Sequence, residues 1–330
     1  MKDKILGTLY GQAIGDAMGM PSELWPRQKV QQFFGYITKF LDGPESNIVA
    51  KNFQKGQFTD DTSQALVILD ALFETDFSPN RTVIARRLIE WGEQHHAFEE
   101  EIFGPTSKAA LYGIKNQQDV QQITDKAETN GAAMRISPIG LLFPTSKLAE
   151  LVDYVREITI VTHSSDIALA GAATVAGAVC AAKEDFSWDE MMQYAFQAHD
   201  MGLALGAPTY SASIKARLKA GLQLAKKYED DEEAFLQAVY DVIGSGVLLS
   251  ESVPAALTIA YYSREVKQCA VLCANLGGDT DTIGAMATAV CGARTGCNAI
   301  PAELIEQIDA CNAHDLQMYG AKINHYLERK

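Results

Sequence analysis

Gly7, Gly11, Gly15 and Gly19 recur every fourth residue of MKDKILGTLYGQAIGDAMG, with apolar and small residues at helical spacing between them. On a helix over 4–19 that spacing places all four on one face. Each glycine costs about 1 kcal/mol relative to alanine in a helix interior. Such a helix is tolerable only if its bare stripe is pressed closely against another part of the chain. Pro21 then favours leaving the helix near Gly19 and Met20.

Helical periodicity continues through most of the chain. Residues 26–58 carry glycines, Pro44 and scattered aromatics, and read as an irregular excursion with room for a short helix. Thr59 and Asp60 precede SQALVILDALFE, so TDDTS lies at a helix N-terminus, near the positive end of the dipole. Further helices are expected over 81–94, from about 106, and over 147–161, 166–183, 188–205, 211–228, 232–242 and 254–262. Ser164 and Asp166 are candidate caps for one of them, and Glu251 and Pro254 read as helix initiators. TNGAAMRISPIGLLF is a Gly-containing loop entering a short hydrophobic helix or turn. A last strong pattern runs over 266–276, breaks at LGGDTDT and resumes as IGAMATAVCGARTG. YEDDEE, at 228–233, reads as an exposed helix connection. No low-complexity linker or tandem repeat divides the sequence, so an all-α, single compact domain over 1–330 is expected.

Composition excludes several function classes. The formal charge of −14, from 42 acidic residues against 28 Lys and Arg, opposes an extensive nucleic-acid interface or an anionic lipid surface. The N-terminus lacks a secretory cleavage region, and no apolar run approaches the roughly 20 residues of a bilayer span. A soluble, cytoplasmic protein with no membrane contact is expected. Cysteines 180, 269, 273, 291, 297 and 311 contain no CxxC pair and read as structural thiols, with His95 and His96 at the surface. The chain has neither a Walker loop nor a GxGxxG fingerprint, which argues against a P-loop ATPase or a doubly wound dehydrogenase.

Two acidic strings carry the chemistry. FTDDTS supplies Thr59, Asp60, Asp61, Thr62 and Ser63; GGDTDTIG supplies Asp279, Thr280, Asp281 and Thr282 behind Gly277 and Gly278. Either string alone is explained as a turn and helix cap. Together, each ahead of an apolar helix, they suit two divalent cations, because magnesium and manganese prefer oxygen ligands and carboxylates can bridge a pair of ions. The glycines permit a sharp turn or close approach to a ligand.

Five strings, GDAMGMPSE, FTDDTS, THSSD, ESVPAAL and NLGGDTDTIGA, together resemble the ADP-ribosylglycohydrolase family in their order, over residues 4–300. The resemblance implies an all-α orthogonal helical fold with a binuclear magnesium or manganese site. It also implies hydrolysis of an N- or O-glycosidic bond to ADP-ribose, carried by a protein or a small molecule. Carried over by position, Thr59, Asp60, Asp61, Asp279, Asp281 and Thr282 are metal ligands. Glu23 is the acid–base or water-positioning candidate, with Asp60 and Asp281 in the same catalytic assembly, and Asp16 is structural. Asn130, Gly131 and Ala132 match a Gly-rich loop that approaches ribose or phosphate, and His163 matches a ligand-proximal histidine. Gly244, Ser245 and Gly246 form a further ligand loop, followed by Val247 where many relatives have an aromatic residue. Arg135 is open between a scaffold acid and phosphate. Two other readings stand: a metal-dependent phosphohydrolase of nucleotides or sugar phosphates, and a catalytically weak ADP-ribose-binding homologue.

Overall fold

The computed structural model describes residues 1–100 and 102–329. Its helices are α1 (Lys2–Gly19), α2 (Arg27–Phe34), α3 (Asp60–Glu74), α4 (Arg81–Gln94), α5 (Pro105–Lys115), α6 (Gln121–Thr124), α7 (Leu148–Thr159) and α8 (Asp166–Lys183). They continue as α9 (Trp188–Leu203), α10 (Ile214–Lys227), α11 (Glu232–Ala238), α12 (Leu249–Ser263), α13 (Val266–Leu276), α14 (Thr280–Thr295), α15 (Ala302–Cys311) and α16 (Leu316–Glu328). Among the described residues there is no β-sheet, only three isolated bridges, so the fold is all-α as expected.

The glycine stripe finds its partner in α14. A carbon added at Gly7, Gly11, Gly15 or Gly19 would lie 2.3, 2.4, 2.2 or 2.3 Å from the carbonyl oxygen of Gly292, Thr288, Gly284 or Thr280 respectively. These partners also recur every fourth residue, in the opposite direction, so two small-residue faces meet antiparallel with backbone against backbone. The Thr288 hydroxyl joins them, with its Oγ1 2.6 Å from the carbonyl oxygen of Gly11 and 2.7 Å from that of Gly284. The crossing ends at Gly19 and Thr280, beside both acidic strings.

α8, rich in alanine and glycine, packs against α7, α9, α12 and α14. It has the length and composition to cross a membrane, yet 94% of that window is buried within the protein. Cys180, Cys269, Cys273 and Cys291 are buried free thiols, and His95 and His96 are exposed.

Three local expectations need correction. α12 starts at Leu249, so Pro254 lies inside the helix rather than at its start. Proline cannot donate to the carbonyl four residues back. That carbonyl, Ser250 O, accepts a 2.9 Å bond from Arg217 Nη1 of α10 instead. The cap of α8 is Ser165, whose side chain accepts from Ala168 N, rather than Ser164 or Asp166. The helix expected over 232–242 passes into a π-helical turn, Val239–Ile243, ahead of the Gly244 loop.

Candidate metal centre

Asp16 organises the first acidic string. Its Oδ1 accepts from Thr59 N at 2.8 Å and Thr59 Oγ1 at 2.9 Å; its Oδ2 accepts from Thr62 N at 3.0 Å and Thr62 Oγ1 at 2.6 Å. These bonds fix the turn at the start of α3, whose first two residues are Asp60 and Asp61. The second string reaches the same place through its glycines. Gly277 and Gly278 have φ of +80° and +86°, and a carbon on Gly278 would lie 2.1 Å from Ser245 O. Gly278 N donates to Trp25 O at 2.8 Å, Leu24 N donates to Gly278 O at 2.7 Å, and Asp279 N donates to Ser245 O at 2.7 Å. The loop ahead of α14 is thereby clamped between the Glu23–Trp25 segment and the Gly244–Gly246 segment.

The result is a knot of carboxylates. Oxygens of Asp16, Asp61 and Asp281 lie within 4.8 Å of one another, as do oxygens of Glu23, Asp279 and Asp281, so Asp281 belongs to both groups. Four donors already occupy the oxygens of Asp16, which makes it a support for the loop rather than an open ligand. Asp61 Oδ1 and Asp281 Oδ1 differ: both are buried and have no hydrogen-bond partner among the described residues. A buried carboxylate oxygen left unpartnered is costly. Thr59 Oγ1 lies beneath the pair, 3.1 Å from Asp61 Oδ2 and 3.4 Å from Asp281 Oδ2.

Burial and mutual repulsion act on every acid here. Burial first, then Asp16 and Asp279, push Asp60 up to about 7; burial pushes Asp279 up to about 6. Asp61 and Asp281 are raised well above the ordinary carboxylate range by burial, then by each other's neighbourhood of acids. Glu23, partly exposed at the mouth, is raised by desolvation and then by Asp279, Asp60 and Asp61. Divalent cations fit this donor set. They would engage the two unpartnered oxygens and reverse the penalty on the ionised forms.

The carboxylates line a cleft of about 430 Å³, within the range of small-molecule sites. Glu23, Asp60, Asp61, Asn130, Gly131, Asp279, Asp281 and Thr282 all face it, as does Val247. Asn130 N donates to Val247 O at 3.0 Å, and its Nδ2 donates to Asp279 Oδ2 at 2.5 Å, tying the Gly-rich turn to an acid of the centre. Gly244, Ser245 and Gly246 line a neighbouring cavity of about 440 Å³ with Trp25 and Tyr240; Leu24 borders both spaces. Gly246 N donates to Glu251 Oε2 at 2.9 Å.

Two residues assigned to the ligand from the sequence sit elsewhere. Ala132 is buried behind the turn and His163 is fully buried; neither lines the cleft. His163 Nδ1 lies 2.8 Å from Thr162 Oγ1 and Nε2 lies 3.4 Å from Thr129 Oγ1. Burial and the neighbouring Arg135 push its imidazole down to about 3, which keeps it neutral. It backs the Gly131 turn, where an added carbon would lie 3.3 Å from its Cε1. Arg135 is likewise buried, bonded to Gln64 and Thr162 and near Asp60. Nothing local marks Lys108, Phe103 or Met134 as lining the cleft, since all three read as ordinary helix or loop residues. Gln64 was detectable in principle, standing four residues after Asp60 on one helix face.

Comparison with known proteins places the chain among relatives of its full length. The chain is 43% identical to the uncharacterized protein YegU of Escherichia coli K12, over 99% of this chain and 98% of that one. It is 24% identical to the ADP-ribosylhydrolase ARH3 of Xenopus tropicalis, over 96% of this chain and 94% of the relative. A solved structure described as an ADP-ribosylglycohydrolase-related protein complex superposes with a TM-score of 0.71 at 22% identity, covering 99% of this chain and 98% of that one, which supports the fold. The profile of the ADP-ribosylglycohydrolase family matches residues 1–328, and the chain belongs to that family.

Proposed function

We propose that this protein hydrolyses an N- or O-glycosidic bond to ADP-ribose, releasing ADP-ribose from a modified protein or a small-molecule conjugate. The observation that carries the reading is the pair of unpartnered carboxylate oxygens, Asp61 Oδ1 and Asp281 Oδ1, beside the Asn130–Gly131 turn in one cleft. When bound, two divalent cations, magnesium or manganese, supply Lewis acidity for orienting ribose hydroxyls and stabilising charge that develops in glycosidic cleavage. Asp60, Asp61, Asp279 and Asp281, with Thr59 and Thr282, are the residues that would hold them.

Glu23 is the acid in the best position to exchange a proton with a ligand, because it is partly open to solvent and lies beside Asp279 and Asp281. It positions water or moves a proton between water and the leaving group. Asn130 fixes the turn against Asp279, and Gly131 lets a ribose approach the backbone closely. Family membership supports the bond class. The leaving group is set by whatever enters the rest of the cleft.

The test is a mass-resolved hydrolysis panel of ADP-ribosyl-arginine, ADP-ribosyl-serine, O-acetyl-ADP-ribose and ADP-ribosylated nucleic acid, each with magnesium, manganese or EDTA. Intact ADP-ribose should appear from at least one substrate only with metal, and should be lost in Asp60→Ala and Asp281→Ala. Free phosphate as the product would replace this reading with phosphohydrolysis. ADP-ribose binding without turnover would replace it with a binding protein.

A further inference from the structure

Behind the acids runs a buried chain of polar groups that the reaction itself does not require. Asp60 Oδ2 accepts from Gln64 Nε2 at 2.6 Å, and Gln64 Oε1 accepts from Arg135 Nη1 at 2.6 Å. On its other side Arg135 Nη2 donates to Thr162 Oγ1 at 2.5 Å, and Thr162 Oγ1 lies 2.8 Å from His163 Nδ1. Gln64, Arg135, Thr162 and His163 are all buried, with exposures of 0%, 1%, 0% and 0%.

The polarity between Arg135 and Asp60 is forced. A guanidinium only donates, so Gln64 must present its carbonyl oxygen to Arg135 and its NH₂ to Asp60. The NH₂ needs an acceptor, and an ionised carboxylate is the strongest one available. Thr162 Oγ1 accepts from Arg135 and lies 2.8 Å from His163 Nδ1, and His163 Nε2 lies 3.4 Å from Thr129 Oγ1 on the Gly-rich turn. Among the described residues Arg135 makes no direct salt bridge, and its bonds run to Gln64 and Thr162.

We infer that Gln64 and Arg135 form a one-way relay that holds the Asp60 carboxylate oriented for a divalent cation, with Arg135 as a positioning residue that never touches metal or ligand. This rests on the metal reading above, although Asp60 lies outside both groups of mutually close carboxylate oxygens. Without the relay the Asp60 carboxylate would lose the bond that fixes its rotation.

Gln64→Glu is the informative substitution. Glutamate keeps an acceptor for Arg135, so the buried guanidinium stays paired and the helix intact, but it removes the donor to Asp60. Manganese affinity of the full chain, read from the free Mn²⁺ signal in electron paramagnetic resonance, should weaken at least tenfold, about 1.4 kcal/mol. Thr162→Val removes the acceptor on the far side of Arg135 together with the contact to His163, but leaves the Gln64–Asp60 arm in place, and should stay within twofold of the parent. Arg135→Gln should weaken manganese binding as Gln64→Glu does; if it fails to fold, Gln64→Glu still decides the matter. Unchanged manganese affinity in Gln64→Glu, with the parent binding normally, overturns the relay alone. A parent that binds no manganese overturns the metal reading and the relay together.

Discussion

Gly15→Ala tests whether the α1–α14 contact sets the geometry of the centre. The added carbon would lie 2.2 Å from Gly284 O and 2.4 Å from the Gly284 carbonyl carbon. Backbone atoms inside a helix cannot rotate aside, so the two helices must part by about 1 Å to restore contact distance. Overpacking of this kind costs up to about 3 kcal/mol. Alanine's better helix propensity returns about 1 kcal/mol. The net loss is roughly 2 kcal/mol, a fall of about 3 °C in Tm for a chain of this length. Asp16 is the residue after Gly15 on α1, and Asp281 lies one residue past Thr280 at the crossing's end, so manganese affinity should fall too. Gly284→Ala strains the same crossing, and the double variant should lose less than the sum, since helices already parted accept the second carbon more cheaply. Thermal and urea unfolding measure each term. A Gly15→Ala protein as stable as the parent, or strictly additive losses, would refute the argument.

Stability of the metal-free protein should depend on pH in an unusual direction. Folding raises Asp60 to about 7 and Asp16 and Asp279 to about 6, above the ordinary carboxylate value near 3.8. The folded state therefore holds more protons than the unfolded state between those limits, and its stability is greatest below about pH 4 for these groups and declines as pH rises toward 7. In EDTA, Tm should drop between pH 5 and pH 8, and saturating magnesium should remove the decline; a flat profile in EDTA counts against the carboxylate knot. At α12, Arg217→Ala strips the donor from Ser250 O and should cost about 1 kcal/mol. The same change in a Pro254→Ala background should cost measurably less, because alanine restores the helical donor. Equal costs in a double-mutant denaturation cycle would show that Arg217 does not compensate for the proline.

What was legible in the sequence was local. TDDT and GGDTDT could be read as helix starts because caps, glycines and following apolar residues are contiguous, and α4, α8 and α13 fall where periodicity placed them. Elements fixed by distant partners were hidden. Pro254 reads as a helix start by every local rule, and only Arg217, 37 positions earlier, lets the helix begin at Leu249. The relay joins Asp60, Gln64, Arg135 and Thr162, of which only the first pair has a helical spacing. His163 carried a motif signal, but sequence order does not reveal which side of the turn it occupies. α15 and α16 escaped notice because their buried stripes are narrow: Leu304 and Ile308 on one, Leu316, Tyr319, Gly320 and Ile323 on the other.

The site separates charge from position. Its acids come from loops at the starts of two helices, where orphan backbone donors favour anions. Their placement comes from two backbones in contact, with almost no side-chain freedom at the crossing. Five or more carboxylates would drive such loops apart if flexible side chains alone held them. The glycine stripe prevents this at its own cost in helix propensity, and Asp16, on the same helix, spends all its acceptor capacity holding the TDDT turn. A stripe that looks like a packing device is therefore also the reason the acids stay close enough to share cations. Substitutions that widen the α1–α14 crossing should weaken manganese binding even when every acidic residue is intact.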